Sequence, residues 1–485
     1  MGTPKRTVLR AQPRGPNVGR RSDSPPWATL AWLLPAFAAL LGRMRAIDLA
    51  YHVRAGELTL RTGEVVVLDP FTFTRSGQQW LNQQWAAQSI FALAHRLLGW
   101  AGVGITYAAA LGSGFALLYR SCRRAQAIPR TAALLTLLGF LVASGSLAAR
   151  PQALAVPLFT GTWLLLARRD TWSFVVPILA VAWANVHGSF VLAPLLAAFA
   201  LADDLVERRP AGHAFLLLLA TAGATVITPF GPRVWSYALD IAGNETIRNS
   251  VAEWRPPAPL SVSGAPFWLS GIAVAITGVR KRRVVRPMDA AILLVFFALG
   301  APALRGTLWW ALIAPPVVAG WFRVRDHAIS EPDQARGGVP AALAIAILLT
   351  LLPMALVLRA GTDPVTGAPE RLAADAPERL VEAARQALPA GSRLLVFQPF
   401  ASWFEYALPD RPVMVDSRIE LFPATVWRDY ALATRAGGGW EETLDRYRID
   451  GVVLPPGEVL GEALSRAEGW DRTHVGPTGS VFVRS

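Results

Sequence analysis

Charge is scarce in this sequence. Asp, Glu, Lys and Arg make up 17% of its 485 residues, against roughly a quarter in soluble domains. Whole stretches carry none: Trp27–Gly42, Thr131–Ala149 and Val339–Leu358. A chain needs about 20 mostly apolar residues to cross about 30 Å of hydrocarbon. These runs approach or meet that length and recur along the chain, while 53% of all residues are hydrophobic. A soluble globular protein is excluded, and a polytopic α-helical membrane protein is expected. Cysteine is nearly absent. Cys122 stands alone, so no intramolecular disulfide can form and outward-facing parts must be stable without one. Also missing are a P-loop, a Gly-rich dinucleotide fingerprint, HExxH and a GxSxG elbow. ATP-driven transport and serine hydrolysis lose their support with them.

The formal net charge is +13, which in a soluble chain would suggest nucleic acid. Here the basic residues fall in short tracts between apolar blocks: Arg120–Arg124, Arg168–Arg169, Arg208–Arg209, Arg280–Arg286 and Arg323–Arg325. Cytoplasmic loops of membrane proteins have this pattern. No basic face with stacking aromatics accompanies it, so nucleic acid is not an expected partner.

Residues 1–26 read as a disordered basic cytoplasmic tail. The first apolar block lacks a small-residue cleavage site and reads as an uncleaved signal anchor. Spans are expected near 27–47, 101–119, 131–149, 152–167, 172–187, 189–203, 213–229, 265–280, 287–304, 306–322 and 339–358, about eleven crossings. The N-terminus is then cytoplasmic and the C-terminus extracytoplasmic, in the inner (plasma) membrane. The outer loops are 48–100 and 230–264. Amphipathic Trp85–Leu98 is expected on the membrane surface, because a crossing there would put Arg120–Arg124 outside. Composition shifts beyond about residue 360. Helical and strand-like stretches alternate from Glu378–Leu388 through strands at Arg393–Gln398, Pro412–Asp416 and Gly451–Leu454 to a terminal hairpin. That predicts a small extracytoplasmic α/β domain over 361–485.

Several residues could carry chemistry. Asp48 at the mouth of the first span has His52 four residues on, which puts a carboxylate and an imidazole on one helical face. The acid could take a proton from an acceptor hydroxyl, ligate a divalent cation, or simply pair with Arg45. Asp69 with Gln78, Gln79, Trp80, Asn82, Gln83 and Gln84 forms a polar and aromatic cluster suited to sugar recognition, or an ordinary wet loop. Arg150 and Arg305 sit at outer span ends, where guanidinium forks bind phosphate or snorkel. His187, in Trp183-Ala184-Asn185-Val186-His187-Gly188, could contact phosphate or cap a helix turn. No His or Cys lies at ligand spacing from it, so no zinc site is predicted. Glu253-Trp254-Arg255 could close over a substrate or brace the outer domain. Asp416-Ser417-Arg418 follows a strand end, as a ligand site or as a structural pair. No cofactor follows with certainty from these residues, and a divalent cation at Asp48 stays open.

Together, Asp48-x-x-x-His52-x-x-x-Gly56, Gly63, Asp69-Pro70-Phe71-Thr72 and Trp80…Gln84-Trp85 resemble the first outer loop of bacterial GT-C glycosyltransferases. Arg150-Pro151-Gln152, Asn185-x-His187-Gly188, Glu253-Trp254 and Asp416-Ser417-Arg418-Ile419-Glu420-Leu421 are similar to later landmarks of one branch. Ala50-Tyr51 departs from the aromatic pair usual there. The resemblance implies transfer of a sugar from a polyprenyl-phosphate donor to a glycan, lipid or protein acceptor. Asp48 would serve as base or acceptor-orienting group, supported by His52 and Asp69. Arg150, Arg305 and His187 would hold phosphate, and Trp80, Gln84, Glu253 and Arg255 would meet substrate. A lipid or glycan transporter, or a non-catalytic assembly factor, are the competing expectations. The transporter would place charges at mid-membrane, whereas here they sit at outer span ends.

Overall fold

The computed structural model describes residues 26–42, 44, 46–244, 248, 251–322 and 377–485. Tail residues 1–25, Arg45, the tract Arg323–Arg325 and the run 339–358 lie outside the described residues. The described chain is mostly helical, with one small mixed sheet near the C-terminus.

Helices occupy most of the expected apolar blocks. They run Pro26–Leu41, Trp85–Arg124, Pro129–Ala143, Pro151–Leu166, Val176–Val186, Leu192–Val206, Gly212–Ala224, Ala265–Arg280, Pro287–Gly300 and Thr307–Ala319. Proline in the first turn starts several of them, at Pro129, Pro151 and Pro287; its missing N–H is no loss there. Two segments, Trp85–Arg124 and Gly188–Val206, are long and apolar enough to cross a membrane; the shorter apolar helices run 10–17 residues. The longest bends where Leu98 and Gly99 leave helical geometry, with Gly99 at φ 59°. The surface-type segment expected at Trp85–Leu98 is therefore a helix set off from the apolar one that starts at Trp100.

Successive helices run between two ends of a bundle. At one end four of the basic tracts meet. Arg124 donates to the carbonyls of Ala167 and Arg168, and Arg169, Arg209 and Arg286 pair with Asp203, Asp204 and Asp289. The other end carries Asp48, Arg150, His187 and Arg305 on the turns that link the helices.

The sheet has strand order β1-β2-β4-β3, with β1 Leu394–Val396, β2 Gly451–Leu454, β3 Trp470–Gly476 and β4 Gly479–Arg484. β1 and β2 pair parallel and the rest antiparallel. The strand expected at Pro412–Asp416 shrinks to bridges at Val413, which joins Leu394 on one side and Thr72 of the first loop on the other. A helix at Gln398–Ala407 appears where the sequence reading had none.

The first loop is built onto this domain. Thr74 Oγ1 donates to the Met414 carbonyl at 2.5 Å, and the Tyr51 N–H to Ser402 Oγ at 2.8 Å. Trp100, Trp403, Tyr406 and His95 pack ring to ring at the same junction, with Trp100 and Trp403 5.0 Å apart.

Candidate functional site

The first-loop helix Leu49–Thr62 begins at Asp48 and presents Asp48, His52 and Gly56 on one face. Gly56 lies against the backbone of Gln88: a Cβ there would stand 2.1 Å from the Gln88 carbonyl oxygen. That contact sets His52 beside Gln88, whose amide nitrogen lies 3.3 Å from His52 Nδ1. Gln88 is itself locked by two reciprocal 2.8 Å hydrogen bonds with Asn82. Asp48 receives the Arg150 Nε–H at 2.8 Å, and His52 Nε2 stands 3.9 Å from its other oxygen. The second amino group of Arg150 pairs with Glu253. Arg150 thus holds two carboxylates from distant loops, on a residue that precedes Pro151 and has extended backbone.

These groups line a cavity of about 760 Å³ at the junction of the bundle and the C-terminal domain. Arg305 lies on its wall, over the face of Trp254 at 5.0 Å. Among the described residues no carboxylate comes within ion-pair distance of Arg305, so its charge faces the cavity without a counterion. His187 also lines it, with Nδ1 2.8 Å from Ser189 Oγ, and so does Gln84 at the start of the Trp85 helix.

Burial works against ionising Asp48, but the Arg150 charge, His52 and the Arg150 hydrogen bond outweigh it, and its carboxyl falls below the ordinary range. Burial also disfavours charge on His52; Asp48 counteracts this only in part, and the imidazole is pushed down to about 4. At neutral pH the pair is a carboxylate beside a neutral imidazole.

Three expected site residues are elsewhere. Asp69 has a fully buried side chain and takes hydrogen bonds from the Phe71 and Thr72 N–H groups and from Arg418 Nη2 at 2.7 Å. Arg418 also donates from Nε to Asp416 at 2.9 Å and lies under the rings of Trp80, Phe71 and Tyr51, 4.5, 5.1 and 5.6 Å from their centres. Asp69 and Trp80 therefore tie the first loop to the C-terminal domain, and the cavity lies beyond them. Arg255 is off the cavity too; its carbonyl accepts the Leu304 N–H. Within the glutamine and asparagine cluster, Asn82 and Gln83 prove to be internal bracing, while Gln78 and Gln79 are exposed. Gln83 donates to the Ala184 carbonyl at 2.5 Å, and Trp85 Nε1 donates to Asn185 at 2.8 Å.

Other residues on the wall carried no assigned role in the sequence reading. Tyr51, Tyr237, Gln398, Glu420 and Trp427 come from four separate segments. Glu420 stands inside the Asp-x-Arg-x-Glu-Leu run, but no spacing rule connects it to Tyr237. Among the described residues no group of three His, Cys, Asp or Glu side chains converges as a metal-binding set.

The fold as a whole has counterparts among solved structures. It is similar to the oligosaccharyltransferase of Archaeoglobus fulgidus in the apo form, with TM-score 0.53 at 12% identity over 88% of this chain and 69% of that one. ArnT from Cupriavidus metallidurans gives TM-score 0.53 at 15% identity, over 93% of this chain and 96% of that one. The Archaeoglobus enzyme AglB with an inhibitory peptide and dolichol-phosphate gives TM-score 0.50 at 13% identity, over 88% and 68%. No protein-family model and no curated protein matches the sequence.

Proposed function

We propose that the chain is an integral membrane glycosyltransferase. It moves a sugar from a polyprenyl-phosphate donor to an acceptor on the outer face of the plasma membrane. The basic end of the bundle and the N-terminal tail are cytoplasmic, and the C-terminal domain is extracytoplasmic. One observation carries the reading: the Asp48 carboxylate shares a cavity with Arg305, a cation that has no carboxylate partner among the described residues.

A lipid-linked sugar keeps its tail in the bilayer and its phosphate at the interface. Arg305 binds that phosphate, with His187 beside it. As the bond between the sugar's anomeric carbon and the phosphate oxygen breaks, the electron pair leaves with the phosphate, and a guanidinium fixed in a water-poor cavity stabilises the growing charge. The acceptor oxygen bonds to the anomeric carbon and its proton passes to Asp48. Arg150 keeps Asp48 ionised and oriented through its bridge to Glu253. A carboxylate held below its ordinary range is a weak base, so its main contribution is to aim the acceptor hydroxyl. Proton transfer follows once bond formation has acidified that hydroxyl. AglB bound to dolichol-phosphate and a peptide supports a lipid-phosphate donor for a chain of this fold.

The test is release of polyprenyl phosphate from a panel of polyprenyl-phosphate sugars by the purified protein in lipid vesicles supplied with glycan, lipid and peptide acceptors. Wild type is expected to release it, and Asp48→Asn to slow release about 100-fold or more. No release from any donor, or equal rates for a folded Asp48→Asn, would overturn the reading.

A further inference from the structure

The side of the cavity facing Arg150 and Arg305 belongs to the C-terminal domain, and its chemistry is different. Glu420 stands there in the 3₁₀ turn Ile419–Leu421, and its carboxylate accepts the Tyr237 hydroxyl at 2.8 Å across 183 residues of sequence. Among the described residues no Arg, Lys or His lies within ion-pair distance of Glu420, although Arg418 and Arg435 line the same cavity. Burial raises its carboxyl above the ordinary range, and the Tyr237 hydrogen bond offsets part of that. A half-buried carboxylate that takes a phenol and a backbone N–H, with no cation in ion-pair distance among the described residues, has capacity to accept further hydrogen bonds. Beside it Trp427 gives its indole N–H to the Ile419 carbonyl at 3.1 Å, so the ring it adds to the cavity is an apolar face. Half-buried Phe397 adds another.

An acceptor-only carboxylate set among flat apolar rings suits a ligand that has donor hydroxyls on its edge and C–H groups on its face. A neutral sugar ring is that kind of ligand. A phosphate-bearing group would be drawn to the cations Arg305 and Arg435 rather than to this carboxylate.

We infer that Tyr237, Glu420 and Trp427 form the acceptor subsite, that the acceptor is a neutral glycan, and that Glu420 is the residue positioning it toward Asp48. This rests on the transferase reading for the word acceptor, but the binding of glycan is measurable without it.

The experiment is saturation-transfer NMR on the full-length protein in detergent. The probes are methyl β-D-glucopyranoside, methyl β-D-galactopyranoside, methyl α-D-mannopyranoside, cellobiose and maltose. At least one is expected to bind. Glu420→Gln should weaken it about tenfold, as loss of a charge-assisted hydrogen bond does. Tyr237→Phe, which removes one hydroxyl from a different segment, should weaken it by a smaller factor. If no probe binds, or if Glu420→Gln and Tyr237→Phe both bind like wild type, the subsite is wrong. Glu420-dependent binding without cleavage of any lipid donor would support the subsite and sink the transferase reading. Donor cleavage without Glu420-dependent glycan binding would do the reverse.

Discussion

Replacing Arg418 with alanine strips the cation from two carboxylates that have no access to water. The side chains of Asp69, Asp416 and Arg418 are 0%, 0% and 1% exposed, and Glu405 stands 4.0 Å from the same guanidinium. Breaking a buried ion pair by removing one partner costs about 3–5 kcal/mol; loss of the three ring contacts adds to this. Because Asp69 belongs to the first loop and Asp416 to the C-terminal domain, the loss falls on the docking of one against the other. At roughly 1.4 kcal/mol per decade, the open form should become about two to four decades more populated. Native-state proteolysis reports that population when closing is fast, so cleavage of the C-terminal domain in the full-length protein is the assay. Arg418→Ala should be cut faster by that margin. Arg418→Met combined with Asp69→Asn and Asp416→Asn should recover most of the resistance, because no uncompensated charge remains. If Arg418→Ala resists protease as wild type does, the docking argument is wrong.

Further outcomes follow from the same geometry. Burial and nearby Asp416 hold the Glu405 carboxyl well above the usual carboxylate range, so the folded chain keeps this proton to higher pH than the unfolded chain does. The unfolded chain releases that proton near 4.5, so stability falls as pH rises above that value toward the folded pKa. Glu405→Gln should flatten that decline in thermal unfolding scans between pH 5 and 9, and an unchanged slope would refute the assignment. His52, pushed down to about 4 by burial, behaves in the opposite sense. The unfolded chain binds the extra proton between about 6.5 and 4, so stability falls as pH drops through that window, by ~3 kcal/mol in all. In His52→Gln the acid limb of the unfolding curve should shrink, and the wild-type transfer rate should show no imidazole titration near 6.5. Gly56→Ala should lower thermal stability by about 1–3 kcal/mol, since the added methyl meets the Gln88 backbone. A variant as stable as wild type would show that the helices do not approach so closely.

Helix positions were legible where local chemistry dictates them. Apolar runs opened by Pro129, Pro151 and Pro287 became helices starting there, and Gly99 broke the chain near the expected edge of the surface segment. The expected strand Gly451–Leu454 and helix at 440–447 were found as read. The helix Gln398–Ala407 was missed because its first residue closes a β-rich run and Pro399 reads as a breaker, although proline is at home in a first helical turn. At the site, Asp48, His52, Gln84, Arg150, His187, Glu253 and Arg305 do come to one cavity. The polar residue types and their place at the ends of apolar runs were enough to suggest that. Asp69 has the same residue type and lies in the same loop, yet its partner Arg418 is 349 residues away. Only tertiary structure separates an anchoring carboxylate from one facing a ligand. The division of labour between the arginines was equally hidden, since among the described residues Arg150 bridges two acids and Arg305 bridges none.

The most direct measurement is a cryo-EM structure of the full-length protein in lipid with polyprenyl phosphate added. The account predicts phosphate density within hydrogen-bonding distance of the Arg305 guanidinium, in the cavity that holds Asp48, and its loss in Arg305→Gln. Lipid phosphate bound away from that cavity, or bound unchanged in Arg305→Gln, would contradict it.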